Sequence, residues 1–256
     1  MVRYSGFMIT PTGLQPTPEF LASIRDFPTP TNITDVRSWF GAINQISYAF
    51  AAAPAMLPFR QLLSSKVPFH WNSELEEAFQ ALKEEIIGQC RTGVRSFSLT
   101  APTALATDWS KCAMGFWLAQ KVCSCSGPPT PGCCPSGWQT VYCGSRFCTP
   151  AESKYHPIEG EACAAINGLD KCRAFVLGNP QLILALDHKP LLKVLGPAEL
   201  DEVLNPRLMN FKLRSLAYRF KPIFIPGKNM SSLICSLVAR TILTLHIVDQ
   251  PNLQAI

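Results

Sequence analysis

Ala104-Leu-Ala-Thr-Asp-Trp-Ser-Lys (104–111) is an apolar run that ends on a carboxylate and a turn. The apolar residues predict a buried strand, and Asp108 stands at its end. A second run of this kind, Gln181-Leu-Ile-Leu-Ala-Leu-Asp (181–187), ends on Asp187. Between them, Glu159-Gly-Glu-Ala-Cys-Ala-Ala-Ile (159–166) opens an apolar helical pattern that carries Glu161. Acids at strand ends and on an adjoining helix can meet at one point. Converged carboxylates repel unless cations neutralise them, and hard divalent ions prefer oxygen ligands. Such a cluster suits metal-assisted phosphodiester hydrolysis. Taken singly, each acid reads as a helix cap or a solvated strand end. The joint spacing favours the cluster.

Around these runs the texture is that of an α/β domain. Strands are expected at Ala104–Asp108, Ala113–Gln120, Gln139–Phe147, Gln181–Leu186 and Phe220–Ile225. A helix is expected from about Thr149 or Pro157 to Val176, and a basic amphipathic helix over Pro206–Tyr218. The first ~90 residues read differently. Residues 3–17 suggest a hairpin, Pro18–Arg25 a short helix, and Asn32 or Thr34 the cap of a further one. Ser73 with Glu76 suggests a capping box for a helix bearing Leu75, Phe79, Leu82 and Ile86.

The chain has 256 residues, with 47% hydrophobic and 16% charged content, as in globular proteins. No apolar run reads as a signal peptide or a span, which predicts a cytoplasmic or nuclear protein that is not secreted. Net charge is +5, unevenly spread. From Val203 to Val248 no acid occurs, while Arg207, Lys212, Arg214, Arg219, Lys221, Lys228 and Arg240 contribute +7. A segment of one sign suits a phosphate-backbone partner, and an ordinary solvated helix face reads equally well.

The eleven cysteines are odd in number and scattered in apolar context, so most read as reduced thiols. Four sit in the Pro/Gly-rich segment Cys123-Ser-Cys-Ser-Gly-Pro-Pro-Thr-Pro-Gly-Cys-Cys-Pro-Ser-Gly (123–137). Structural zinc sites prefer pairs spaced C-x2-C. Zinc at Cys123, Cys125, Cys133 and Cys134 is therefore the less favoured reading, against an exposed hairpin loop with reduced thiols.

The ordered set of motifs resembles the downstream part of the polymerase polyprotein of gypsy-type LTR retrotransposons. Phe27-Pro-Thr-Pro with Val36-Arg-Ser-Trp-Phe-Gly-Ala-Ile-Asn (36–44) is similar to that family's connector. Phe69-His-Trp and Ala78-Phe-Gln-Ala-Leu-Lys (78–83) are similar to the helix leading into its ribonuclease H domain. Thr107-Asp-Trp-Ser-Lys, Gly115-Phe-Trp-Leu-Ala-Gln, Gly144-Ser-Arg-Phe, Ala151-Glu-Ser-Lys-Tyr, Glu159-Gly-Glu, Asp187-His-Lys-Pro-Leu and Pro226-Gly-Lys-Asn follow in the family's order. The cysteine loop is similar to that of an animal subgroup.

The resemblance implies a ribonuclease H-like five-stranded mixed sheet with flanking helices, preceded by a mainly helical connector with an N-terminal hairpin. It implies a connector/thumb remnant over 1–92, the ribonuclease H-like domain over 93–240 and an eroded tail over 241–256. It implies hydrolysis of the RNA strand of an RNA–DNA hybrid with Mg²⁺, Mn²⁺ being a substitute, and makes Asp108, Glu161 and Asp187 catalytic metal ligands. The hybrid and the rest of a polyprotein are the implied partners. Arg207, Lys212, Arg214 and Lys228 are the expected phosphate contacts. Two departures stand out. No Tyr-x-Asp-Asp is present, so polymerase chemistry is not carried by this chain. The family's fourth acid falls on Leu233, inside Met230-Ser-Ser-Leu-Ile-Cys-Ser-Leu-Val-Ala-Arg (230–240). The expectation is an impaired hydrolase, with a nuclease-dead nucleic-acid-binding relic as the alternative.

Overall fold

A computed structural model describes residues 1–50, 52–64, 68–91, 93–127, 129–134 and 137–227. Lys228, Leu233 and the expected tail 241–256 lie outside the described residues.

The N-terminal part begins with β1 (Val2–Tyr4), β2 (Phe7–Thr10) and β3 (Gly13–Pro16). These form an antiparallel meander of three strands where the sequence suggested a two-stranded hairpin. The extra turn is at Ser5-Gly6, both with positive φ, and glycine adopts this without strain. Next come α1 (Pro18–Arg25), α2 (Ile33–Gln45), α3 (Ala52–Ala55), a 3-10 stretch Leu57–Leu63, and α4 (Ser73–Cys90). Asn32 caps α2, its side chain accepting from Thr34 and Asp35 N–H. The expected capping box on α4 is absent. Asn72 is the cap, accepting from Leu75 N–H at 2.9 Å. Glu76 is drawn away by the Trp71 indole N–H at 2.8 Å and the Gln80 amide at 2.7 Å. Trp39, Phe50, Phe59 and Phe79 fill the core of this part.

β4 (Val94–Arg95) returns to pair with β3 and completes a four-stranded sheet. The second sheet follows: β5 (Thr103–Trp109), β6 (Ala113–Lys121) and β7 (Trp138–Phe147), then α5 (Pro157–Lys171), α6 (Arg173–Val176), β8 (Leu182–Leu186), α7 (Lys189–Val194), α8 (Pro206–Ser215) and β9 (Lys221–Phe224). Its order is β7-β6-β5-β8-β9. β5, β6 and β7 are antiparallel, while β8 is parallel to both β5 and β9. This is the mixed five-stranded sheet with flanking helices expected from the sequence.

Strand alternation divides the sheet's faces. Leu105, Met114, Phe116 and Leu118 pack against Ala162, Ala165, Ile166 and Leu169 of α5 and Leu208 and Phe211 of α8. Ala104, Ala106, Trp117, Ala119, Cys143 and Ala185 occupy the other face. The N-terminal part meets the sheet at β7, whose Cys143 N–H donates to the Tyr48 carbonyl at 2.9 Å. Ser145 Oγ accepts from Ala53 N–H at 2.7 Å. The first of these bonds occupies a backbone N–H that the edge strand would otherwise leave open. Among the described residues no helix is long and apolar enough to cross a membrane.

Candidate metal centre

Because β5 and β8 are parallel, their C-terminal ends share one edge of the sheet. Ala106 pairs with Ala185, and the same register carried two residues on sets Asp108 level with Asp187. Glu161 arrives from above, on the second turn of α5. Gly160 allows that approach. A Cβ there would lie 2.2 Å from the Trp109 indole, so any larger residue would push the helix off the strand end. Gly168, two turns on, plays the same part: a Cβ would lie 2.8 Å from the Thr107 methyl.

The result is that Asp108, Glu161 and Asp187 each bring one carboxylate oxygen within 4.8 Å of the others. Glu161 is buried, and the two aspartates are partly exposed. Burial, and then the charges of Asp187 and Asp108, push the Glu161 carboxyl up to about 9, against a smaller pull from the Trp109 backbone N–H. Burial also raises Asp187, opposed by the neighbouring His188. Among the described residues no lysine or arginine is ion-paired with Glu161 or Asp187. An all-oxygen donor set with mutual repulsion fits a hard divalent ion. The chain also passes close by at Gly227, where a Cβ would lie 3.4 Å from Asp187 Oδ2.

The basic residues of α8 are not gathered at the acids. Arg207 donates to Glu159 at 2.8 Å and lies 4.2 Å over the Tyr155 ring. Arg214 is bonded to Asp170, which also accepts from the Tyr218 hydroxyl at 2.9 Å. Lys212 is 5% exposed and donates to the Gly196 carbonyl at 2.6 Å. The expectation of a run without competing carboxylates is thus corrected. The acids come from α5, distant in sequence and adjacent in space. These pairs clamp α8 along the helix that carries Glu161. Glu159 is part of this clamp: burial pushes its carboxyl up, but Asn205, the His156 N–H and Arg207 outweigh that and hold it low.

Sequence reasoning did not single out Gly160 as the residue that sets the spacing of the acids. Its signal was present, since a glycine in the first turns of an otherwise Ala-rich helix is disfavoured unless close approach needs it.

Residues 98–218 match the family described as the RNase H-like domain found in reverse transcriptase. Over 241 residues the chain is 28% identical to the retrovirus-related Pol polyprotein from transposon opus of Drosophila melanogaster, covering 89% of this chain and 22% of that protein. It is 24% identical over 239 residues to the corresponding polyprotein from transposon gypsy of the same organism, covering 89% and 21%. The chain therefore spans about a fifth of the length of these relatives. Among solved structures, the foamy viral protease-reverse transcriptase in complex with RNA/DNA hybrid superposes with a TM-score of 0.64 at 18% identity, covering 88% of this chain and 29% of that one. Residues 98–218 are an RNase H-like domain of the reverse-transcriptase kind, and the chain is related to gypsy-type retrotransposon Pol polyproteins over 89% of its length.

Proposed function

We propose that this chain is the ribonuclease H module of a retrotransposon polyprotein, with its N-terminal 92 residues a connector, and that it hydrolyses the RNA strand of an RNA–DNA hybrid at a reduced rate. The convergence of Asp108, Glu161 and Asp187 within 4.8 Å carries this reading. The solved relative in complex with RNA/DNA hybrid supports the substrate class. A divalent cation, Mg²⁺ or Mn²⁺, would be held by the three carboxylates and would supply an activated water and charge neutralisation at the phosphate.

The chain's own residues set the rest. Asp108 and Asp187 are fixed side by side by the parallel strands. Burial and the two aspartates favour the protonated Glu161 carboxyl in the metal-free chain, and a bound cation would favour its carboxylate. Its carboxylate is oriented by the Trp109 N–H. The half-exposed guanidinium groups of Arg207 and Arg214 present positive charge beside this helix pair and meet phosphates across the hybrid's wide minor groove. Lys212 holds α8 in place instead.

Leucine at position 233 cannot ligate a cation or assist departure of the product phosphate. Fewer oxygen ligands leave a second ion poorly held. The test is single-turnover cleavage of end-labelled RNA–DNA hybrid, RNA duplex and DNA duplex. Slow cutting of the hybrid's RNA strand alone is expected, faster with Mn²⁺ than with Mg²⁺, and accelerated by Leu233→Asp. Cutting of all three duplexes, or of none even after Leu233→Asp in a folded protein, would refute hydrolysis of this class. Undiminished salt-dependent binding in that last case would identify a nucleic-acid-binding relic.

A further inference from the structure

The loop joining β6 to β7 lies away from the acids and has its own chemistry. Its ladder continues one step past the Lys121–Trp138 pair, with Val122 N–H donating to the Gly137 carbonyl at 2.8 Å. Cys123 follows at once. The return arm is ordered by backbone bonds from Cys133 N–H to the Thr130 carbonyl and from Gly137 N–H to the Cys134 carbonyl, each 3.1 Å. The Trp138 indole N–H also donates to the Thr130 carbonyl at 3.1 Å.

This geometry brings four thiols together. Cys123, Cys125, Cys133 and Cys134 each offer a sulfur, and all four sulfurs lie within 4.8 Å of one another. The Cys123 and Cys133 sulfurs are 3.4 Å apart. Three of them crowd over the backbone of Gly137. A Cβ there would lie 2.6 Å from Cys134 Sγ and 3.0 Å from Cys123 and Cys133 Sγ. Glycine at 137 is thus the residue that leaves room for the cluster.

Nothing apolar explains such a gathering. Cys90, Cys143, Cys148, Cys163 and Cys172 are buried and dispersed through the cores, as small hydrophobes. The loop thiols are instead half-buried or exposed, in a Pro/Gly-rich segment. Thiols are weak hydrogen-bonding groups and gain little from each other in water. Tetrahedral zinc has Zn–S bonds of about 2.3 Å, which puts sulfurs about 3.8 Å apart. Shifts of an ångström or less would bring the observed cluster to that geometry. Lys121 donates to the Cys125 carbonyl at 2.6 Å, so its ammonium lies at the loop to offset the negative charge of a tetrathiolate.

We propose that Cys123, Cys125, Cys133 and Cys134 form a closed structural zinc site that ties the β6–β7 loop shut. The C-x-C and C-C spacings spoke against zinc in the sequence, because neither is the C-x2-C pair. The hairpin supplies what the local spacing lacks, by setting the two arms face to face. Soft thiolates select zinc over the hard cations suited to the carboxylate cluster, so one chain carries two metal sites of opposite chemistry. On binding, the thiol protons pass to buffer as the Zn–S bonds form. The proposal is independent of whether the acids cut RNA.

The experiment is metal analysis of the full chain, prepared under reductant, loaded with Zn²⁺ and desalted. About one zinc per chain is expected, and loss of most of it in Cys133→Ser/Cys134→Ser, with Cys112→Ser unchanged. Co²⁺ in place of Zn²⁺ should give thiolate-to-cobalt charge transfer and the d–d absorption of a tetrahedral tetrathiolate centre. The cobalt spectrum of the unmodified chain keeps the test valid if the double variant does not fold. Zinc should also shield the loop thiols from iodoacetamide. No zinc retained by the folded chain, equal zinc in the double variant, a cobalt spectrum without sulfur ligation, or loop disulfides surviving the reductant would overturn the proposal.

Discussion

Glu161 is the residue on which the site turns. Its carboxyl is raised to about 9 by burial and by the two aspartates, from 4.5 in the unfolded chain. Folded protein therefore keeps a proton that unfolded protein loses. Stability of the metal-free chain is greatest below about pH 4.5 for this group, falls as pH rises toward 9, and levels above it. Asp187, also raised, acts in the same direction. Glu161→Gln should remove the Glu161 part of this slope and stabilise the metal-free chain near pH 8 by roughly 1–3 kcal/mol, read by thermal or urea unfolding at several pH values. An unchanged slope would mean that Glu161 is not in this environment. The three acids were legible in the sequence because each closes or opens an apolar run. The raised carboxyl was not, since it depends on burial that only packing defines.

At the level of elements, α5 decides where Glu161 sits, and Gly160 decides where α5 sits. Gly160→Ala adds a methyl where the Trp109 ring already lies, so the helix must lift. The expected result is a loss of ~1–3 kcal/mol in stability together with weaker divalent-cation binding. Normal cation affinity in the folded variant would contradict that role. The α5–α8 pair gives a second prediction. Lys212→Ala removes a buried donor from the Gly196 carbonyl and should destabilise by ~1–3 kcal/mol. Arg214→Ala, at a half-exposed pair, should change stability by less than ~1 kcal/mol but weaken hybrid binding and flatten its salt dependence. A flatter salt slope from Lys212→Ala at intact stability would show that its ammonium reaches phosphate after all. Strand positions were readable from apolar runs and turn residues. The partners of α8 were not, because Glu159 and Asp170 lie more than forty residues away in sequence.

On the scale of the whole molecule, the described residues form an N-terminal core and a core on each face of the mixed sheet, and Leu99, between β4 and β5, is 87% exposed. A chymotrypsin-type protease should nick first near Leu99 and leave two fragments associated through the Tyr48–Cys143 and Ala53–Ser145 bonds. First cuts inside either core would count against this division. The five strand runs of the sheet were legible in the sequence, and their mixed arrangement was implied by the resemblance to the retrotransposon family. The pairing of β4 with the N-terminal strands does not, since two residues carry no periodicity. What the architecture achieves is delivery of Asp108 and Asp187 from parallel strands, and of Glu161 from the helix above, to one point. Calorimetric titration of the full chain with Mn²⁺ near pH 7.5, in two buffers of different ionisation enthalpy, measures this directly. Saturable binding is expected, with about one proton released, that of Glu161. Asp108→Asn should abolish the binding, and Glu161→Gln should abolish the proton release. Binding that survives Asp108→Asn, or no binding by the unmodified folded chain, would contradict the claim that these three acids form a cation site.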